Sequence, residues 1–350
     1  MSRVQDARTH ESLGTDALFL VWGPPGYGPR SRAFGAALGI EVAFITVTRR
    51  RGRLSALVKY PVQAVRTLAL LVRRSPRVIF VQSPPGFAVM TVWLYATLGR
   101  RRFVVDAHSD AMTSRYWTKP RWVYRGLARA AAATLVTNEH FAASIRADGG
   151  TSLVIRDVPQ SVDGSRRDAA APGAFGVMVV CTYAPDEPIE EVFEAAGHLP
   201  EVTFSLTGDP ARFGRVLPPA PPNVRRTGYL SEEAYRDLMA SSGAVMCLTT
   251  NDHTMQRGAC EALWTGRPII TSDWPLLRDY FDRGTEHVDN GAASIAAAVR
   301  KIAADPTAYE RAIEDLQALR RREWDEAVAA LVTLVGARGA FPPAHEEDHP

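Results

Sequence analysis

Cysteine is scarce in this chain, three residues in 350. Cys181, Cys247 and Cys260 show no paired spacing and lie in or beside apolar runs, so they read as small core residues rather than a disulfide framework. No apolar stretch reaches the roughly 20 residues that cross a bilayer. The longest, FAVMTVWLYATLG from Phe87, falls short. Residues Met1 to Gly14 carry no apolar segment behind their charges, so no signal peptide is expected. Charge of one sign is not in excess either: the net charge is +3, too small to argue for nucleic acid, and no aromatic-rich stacking motif supports that partner. No D-x-D pair occurs, and no His or carboxylate cluster completes a coordination shell, so neither a metal nor another cofactor is expected.

What is present is a rhythm. Short β-branched runs (ALFLVW, EVAFITV, RVIFVQ, RFVVD, ATLVT, SLVI) alternate with helix-length stretches, the pattern of a parallel sheet covered on both faces. A Pro-, Ala- and charge-rich interval then breaks it, and the alternation resumes with VMVVC, EVTFSL, NVRRTGYL, GAVMCLT and RPIITS. The expected organisation is a disordered terminus over 1–14, a Rossmann-like domain over 15–160, a linker over 161–174, a second Rossmann-like domain over 175–338 and a disordered tail over 339–350. The fold class is α/β, two facing Rossmann-like domains whose strand ends border a cleft.

Three loops at strand ends carry candidate chemistry. In GPPGYGPR, Gly26, Tyr27 and Gly28 form a tight turn before a helix that opens near Arg30, a combination suited to an anion. It is not G-x-G-x-x-G, and the second strand ends in basic residues, which argues against a nicotinamide dinucleotide. In VVDAHSDAM, the alternate positions Asp106, His108 and Asp110 would share one face of an extended segment and could position a general base. The basic stretch from Thr48 to Arg77 places Leu54, Leu57, Val58, Val62, Val65 and Leu68 at helical spacing, with Lys59, Arg66, Arg73 and Arg74 among them. Such a helix either packs on its own sheet or meets anionic lipid headgroups.

The third loop is NDHTMQRGACEALWTGRPIITSD, residues 251–273. Its order of elements resembles the nucleotide-sugar-binding half of GT-B glycosyltransferases, especially the large retaining family four, whose hallmark is E-x7-E, a small residue, Gly-x-Pro and an apolar strand. ATLVTNEHFAASI, VIRDVP and VTFSLTGDP extend the resemblance along the chain, and VQSPPGF is similar to a short segment of lipid-linked mannosyltransferases. The resemblance implies that Glu261 holds the ribose hydroxyls of the nucleotide, a task that suits a carboxylate with several acceptor sites. The family's first Glu, which grips the transferred sugar, is His253 here, with Asp252 one residue away. The Arg and Lys that the family carries after the first donor-domain strand are missing from VVCTYAPDEPIEEV. Arg257, with the backbone N–H groups of Thr254, Met255, Gln256 and Gly258, is the candidate replacement. His108 matches a family histidine that reaches the scissile bond.

The expected activity is therefore metal-independent transfer of a hexose from a UDP- or GDP-linked sugar to a lipid-linked or surface-glycan acceptor. The expected place is the cytoplasm, peripheral on the inner face of the plasma membrane. Two other readings stay open: a nucleotide-sugar isomerase or hydrolase of the same fold, and a non-catalytic partner of a true transferase.

Overall fold

A computed structural model of the protein describes residues 16–25, 28–47, 53–114, 119–160, 175–213 and 216–336. The expected disordered ends, the linker 161–174, Gly26 and Tyr27 lie outside the described residues. The chain divides into two compact units, 1–158 with 324–350, and 159–323.

The first unit is a six-stranded parallel sheet. Its strands are β1 (Ala17–Val21), β2 (Glu41–Phe44), β3 (Val78–Ser83), β4 (Arg102–Ala107), β5 (Ala133–Val136) and β6 (Ser152–Val154), in the order β2-β1-β3-β4-β5-β6. β1 and β3 are buried at every position. Alternation of side chains sends Leu18, Ile79 and Val81 into one apolar cluster, and Phe19, Val78 and Phe80 into another on the opposite face. The helices are α1 (Pro29–Leu38), α2 (Arg53–Arg74), α3 (Gly86–Leu98), α4 (Ser109–Thr113), α5 (Arg121–Ala130) and α6 (Glu139–Ala147).

The second unit is again six parallel strands: β7 (Gly176–Val179), β8 (Thr203–Thr207), β9 (Val224–Gly228), β10 (Ala244–Cys247), β11 (Ile269–Ser272) and β12 (Thr285–Val288). They are ordered β12-β11-β10-β7-β8-β9, the doubly wound arrangement of nucleotide-binding sheets. Its helices are α7 (Ile189–Gly197), α8 (Glu232–Ser241), α9 (Arg257–Thr265), α10 (Pro275–Tyr280) and α11 (Ala292–Ala304). The alternation of the sequence yields eleven of these strands and misses β12. Its four residues, TEHV, pair on one side only and bury Val288 alone.

The long helix α12 (Pro306–Gly336) departs from the expected boundary at 338. From Trp324 onward it belongs to the first unit, where Trp324, Val328, Leu331 and Val335 join the cluster around Phe19 and Phe34. Trp324 meets Phe34 edge-on at 5.3 Å, and Arg102 Nη1 donates to the carbonyls of Leu334 and Val335 at the helix end.

α2 divides its residues between the sheet and solvent. Its inward residues are Gln63, Thr67 and Leu71, with Thr67 Oγ1 accepting from Trp22 Nε1 at 2.9 Å and Gln63 Nε2 donating to the Ile45 carbonyl. Leu57, Val58, Val65 and Val72 face outward, each at least 65% exposed. Leu57, Val58 and Val65 of the expected stripe thus lie away from the sheet, which Leu71 meets instead.

Candidate active site

Parallel sheets of this kind take ligands beyond the carboxyl ends of the strands, where the strand order reverses. In the second unit that point falls between β7 and β10. The N-terminus of α9 sits there because position 258 is glycine: a Cβ would lie 2.7 Å from both Cys247 Sγ and Val180 Cγ1. No side chain caps α9, so its first-turn N–H groups stand available to an anion. One turn further, Glu261 projects from an otherwise buried helix, its side chain 20% exposed. Its Oε1 accepts from Arg257 Nε at 2.7 Å and its Oε2 from the Tyr235 hydroxyl at 2.8 Å. Burial, then the charge of Glu261, pushes the Tyr235 phenol far above its ordinary pKa, so it acts only as a neutral donor. With two oxygens and about four acceptor directions, Glu261 can still receive further hydroxyls.

The loop before α9 holds the remaining expected residues. His253 adopts a left-handed backbone, φ +58°, and its N–H donates to Asp252 Oδ1 at 2.6 Å, while its Nε2 lies 3.5 Å from Asp252 Oδ2. Asp252 and His253 are therefore one unit rather than alternatives. Thr254 Oγ1 lies at the limit of hydrogen bonding to the Asp252 carbonyl, and Gln256 is the residue preceding the helix. The Met255 side chain packs against the core around Trp264, so a polar contact from this residue would come from its backbone.

Several groups here had no signal in the sequence. Tyr235 comes from α8, at a position no motif marks. Below the loop, Thr249 N–H donates to Ser272 Oγ, which donates to Asn290 Oδ1, while Trp274 Nε1 and Asn290 Nδ2 both donate to the Thr249 carbonyl. Thr249 Oγ1 in turn donates to Asp186 Oδ2 at 2.6 Å. After β7, where the sequence lacks the cations of the resembled family, the backbone N–H groups of Thr182 and Ala184 donate to the carboxylate of Glu187. Burial raises the pKa of Glu187.

In the first unit the reversal lies between β1 and β3. Gly28 immediately precedes α1, close to Gln82 and Phe44, and Ser31 Oγ donates to Gln82 Oε1. Arg30 corrects an expectation. It is turned inward, donating from Nε to Asp106 Oδ1 at 3.3 Å and from its two terminal nitrogens to the carbonyls of Arg156 and Ile155. It ties strand ends together rather than offering a free cation to a ligand. Asp106 is 1% exposed. Burial opposes its ionisation, but the Arg30 charge and the hydrogen bond from His108 prevail and bring its pKa down to about 2. An ionised carboxylate can only accept, so the His108 Nε2 that faces Asp106 Oδ2 at 3.3 Å is the donor of that hydrogen bond. Buried between Arg30 and His108, Asp106 fixes the orientation of the His108 ring. The expected trio does not form: β4 ends at Ala107, α4 begins at Ser109, and Asp110 sits exposed on that helix's first turn. Among the described residues no group of three or more His, Cys, Asp or Glu is placed to hold a metal ion.

Two family models match the chain: a glycosyl transferase 4-like domain over residues 5–159 and a glycosyl transferase-like domain over residues 186–330. No curated protein matches by sequence. Among solved structures, Anabaena Alr3699/HepE, determined with UDP and glucose, is similar at TM-score 0.65 and 15% identity, over 91% of this chain and 99% of that one. Sucrose-phosphate synthase from Thermosynechococcus elongatus gives TM-score 0.65 and 16% identity, over 91% and 97%. A putative UDP-N-acetylglucosamine 2-epimerase from Listeria monocytogenes gives 0.58 and 10%, over 91% and 96%. At these identities the likenesses speak for the fold. Taken with the two domain matches, they make this chain a glycosyltransferase of the GT-B fold, with a glycosyl transferase 4-like first half and a glycosyl transferase-like second half.

Proposed function

We propose that the enzyme transfers a hexose from a UDP- or GDP-linked sugar, held by the second unit, to a lipid-linked or surface-glycan acceptor held by the first. The observation that carries the donor half is Glu261: a partly buried carboxylate fixed by Tyr235 and Arg257, one turn above an uncapped helix N-terminus at the strand-order reversal. Ribose hydroxyls suit the carboxylate, and the diphosphate suits the helix N–H groups with the half-exposed Arg257. In this reading those groups, rather than a metal, meet the negative charge that develops on the departing diphosphate. The Asp252–His253 pair is the candidate contact to the sugar, and His108 the candidate group near the reacting atoms. UDP and UDP-glucose bound to HepE support a nucleotide sugar as partner.

The first unit also supports contact with a membrane surface. α2 exposes Leu57, Val58, Val65 and Val72 beside Arg66, Arg73 and Arg74, and the neighbouring α3 exposes Phe87, Trp93, Leu94 and Leu98. Apolar side chains set among cations suit an anionic lipid interface. Among the described residues no helix is long and apolar enough to cross a membrane. The proposed place is accordingly the inner face of the plasma membrane.

The test is Glu261→Ala. Thermal-shift titration with UDP- and GDP-sugars should show stabilisation of the wild type and a loss of donor affinity of roughly tenfold or more in the variant, with the fold retained. Unchanged nucleotide affinity refutes the role. One observation favours a second reading, a non-catalytic partner: Glu187 already fills the β7 loop with negative charge. Binding of a nucleotide sugar without turnover in the presence of acceptor extract would select it.

A further inference from the structure

A cavity of about 420 Å³ lies inside the first unit, between the β4–β5 part of the sheet and the helices α3, α4, α5 and α6. Its size falls within the roughly 300–1,000 Å³ typical of small-molecule sites. Val89, Val105, Met112, Leu127 and Ile145 make an aliphatic side, Ser83, Thr134 and Ser144 also line it, and Tyr124 is the one aromatic side chain among the described residues there. The aliphatic side suits the hydrocarbon part of a ligand, which needs no hydrogen-bonding partner.

Two further observations define what the chain must carry. Thr134, directly across from Val105 in the β4–β5 register, lines the cavity; it is 3% exposed and its hydroxyl has no partner. A buried hydroxyl left unsatisfied is costly, so an oxygen on the occupant would be well received. At the exposed rim stand Lys119 and Arg121. The acid there, Asp148, accepts from Arg125 Nε at 2.6 Å and lies 3.3 Å from Arg121. Burial would raise the Asp148 pKa, but these two arginines hold it low, so its charge is already matched. Lys119 makes no ion pair among the described residues, which leaves the rim cationic.

We propose that this cavity takes the acyl chain of an anionic amphiphile, its head group at Lys119 and Arg121 and an ester oxygen accepting from Thr134. That the amphiphile is the glycosyl acceptor rests on the function proposed above; the binding itself does not.

The experiment is calorimetric titration of the full-length protein with lauroyl lysophosphatidate below its micellar concentration, beside glycerol phosphate for the head alone and dodecanol for the chain alone. Saturable binding of the lysophosphatidate, at least about tenfold tighter than either fragment, is expected. Ala128→Trp, which fills the cavity from α5, should abolish it, and Lys119→Glu should weaken it about tenfold. Thr134→Val should weaken binding several-fold without lowering the melting temperature, because in the free protein that hydroxyl satisfies nothing. This pairing separates a ligand contact from a structural one. If the tryptophan variant fails to fold, the Lys119 and Thr134 variants carry the test. No binding by wild type, or binding untouched by these substitutions, overturns the assignment. A nucleotide-sugar thermal shift on the same samples reads the donor site separately, so its failure and failure of the lipid site are distinguishable. Transfer of sugar to the amphiphile identifies it as acceptor; saturable binding without transfer supports the site and withdraws that identity.

Discussion

Gly258→Ala tests the geometry on which the donor site depends. The added methyl would stand 2.7 Å from Cys247 Sγ and Val180 Cγ1 and 2.9 Å from Val180 Cβ, against the 3.4 Å at which ordinary contact begins. Something must therefore move by about 0.7 Å. The thiol can turn to another rotamer, but Val180, just after β7, is held by its N–H bond to the Met246 carbonyl, so α9 itself must lift. Overpacking of this kind costs about 1–3 kcal/mol, and the better helix propensity of alanine returns at most about 1. A net loss of roughly 0–2 kcal/mol follows, about 1 at mid-range, a fall in melting temperature of up to a few degrees for a domain of this size. Because the same shift carries Glu261 and the helix N–H groups off their positions, the transfer rate should drop on the order of ten- to a hundredfold. Urea unfolding and steady-state kinetics measure the two effects. Val180→Ala should destabilise the wild type yet restore part of what Gly258→Ala loses, the sign reversal expected of coupled neighbours. If Gly258→Ala is as stable and as active as wild type, the reasoning is refuted.

Three further outcomes are expected. Tyr235→Phe removes the 2.8 Å bond to Glu261 and leaves that carboxylate freer to turn, so stability should fall by about 1.5–3 kcal/mol and nucleotide affinity with it; equal nucleotide titrations for both proteins would refute this. Asp106 has a folded pKa of about 2, below its unfolded value, so its contribution of about 2 kcal/mol is complete above pH ~4 and disappears as pH falls through about 2. Asp106→Asn should therefore be less stable at pH 7, with Arg30 left unpaired, and show a shallower acid decline, read by urea unfolding across pH. Replacing Leu57 and Val65 together by Asp should abolish sedimentation with anionic vesicles while leaving the melting temperature within about a degree, since both side chains are already exposed.

The strand pattern was legible because parallel strands buried on both faces must be written as unbroken apolar runs, as in β1 and β3. β12 escaped because an edge strand with one buried side chain leaves almost no such trace. Glu261 was visible since a charged residue among Gly258, Ala259, Ala262 and Leu263 contradicts its surroundings unless it has work at a site. Tyr235, its hydrogen-bonding partner, was invisible: it lies 26 positions away on another helix, and only tertiary packing brings them together. Alternation misled at Asp110, because a change from strand to helix at His108 ends the two-residue period before it reaches that position. At α2 the helical period was right, and the sequence left open whether its apolar face meets the sheet or a lipid surface. Hydropathy could not decide between them, because hydrogen bonds from Trp22 and to Ile45 draw Thr67 and Gln63 inward beside Leu71.

The closing stretch of the protein settles how its halves can be parted. Trp324, Val328, Leu331 and Val335 complete the interior that Phe34 begins, three hundred residues after that interior was started. A gene severed at the interdomain segment would yield one product missing a wall and another trailing a greasy, orphaned helix. Anyone wishing to graft a new second unit onto this first one must leave the residues from Trp324 onward with the first.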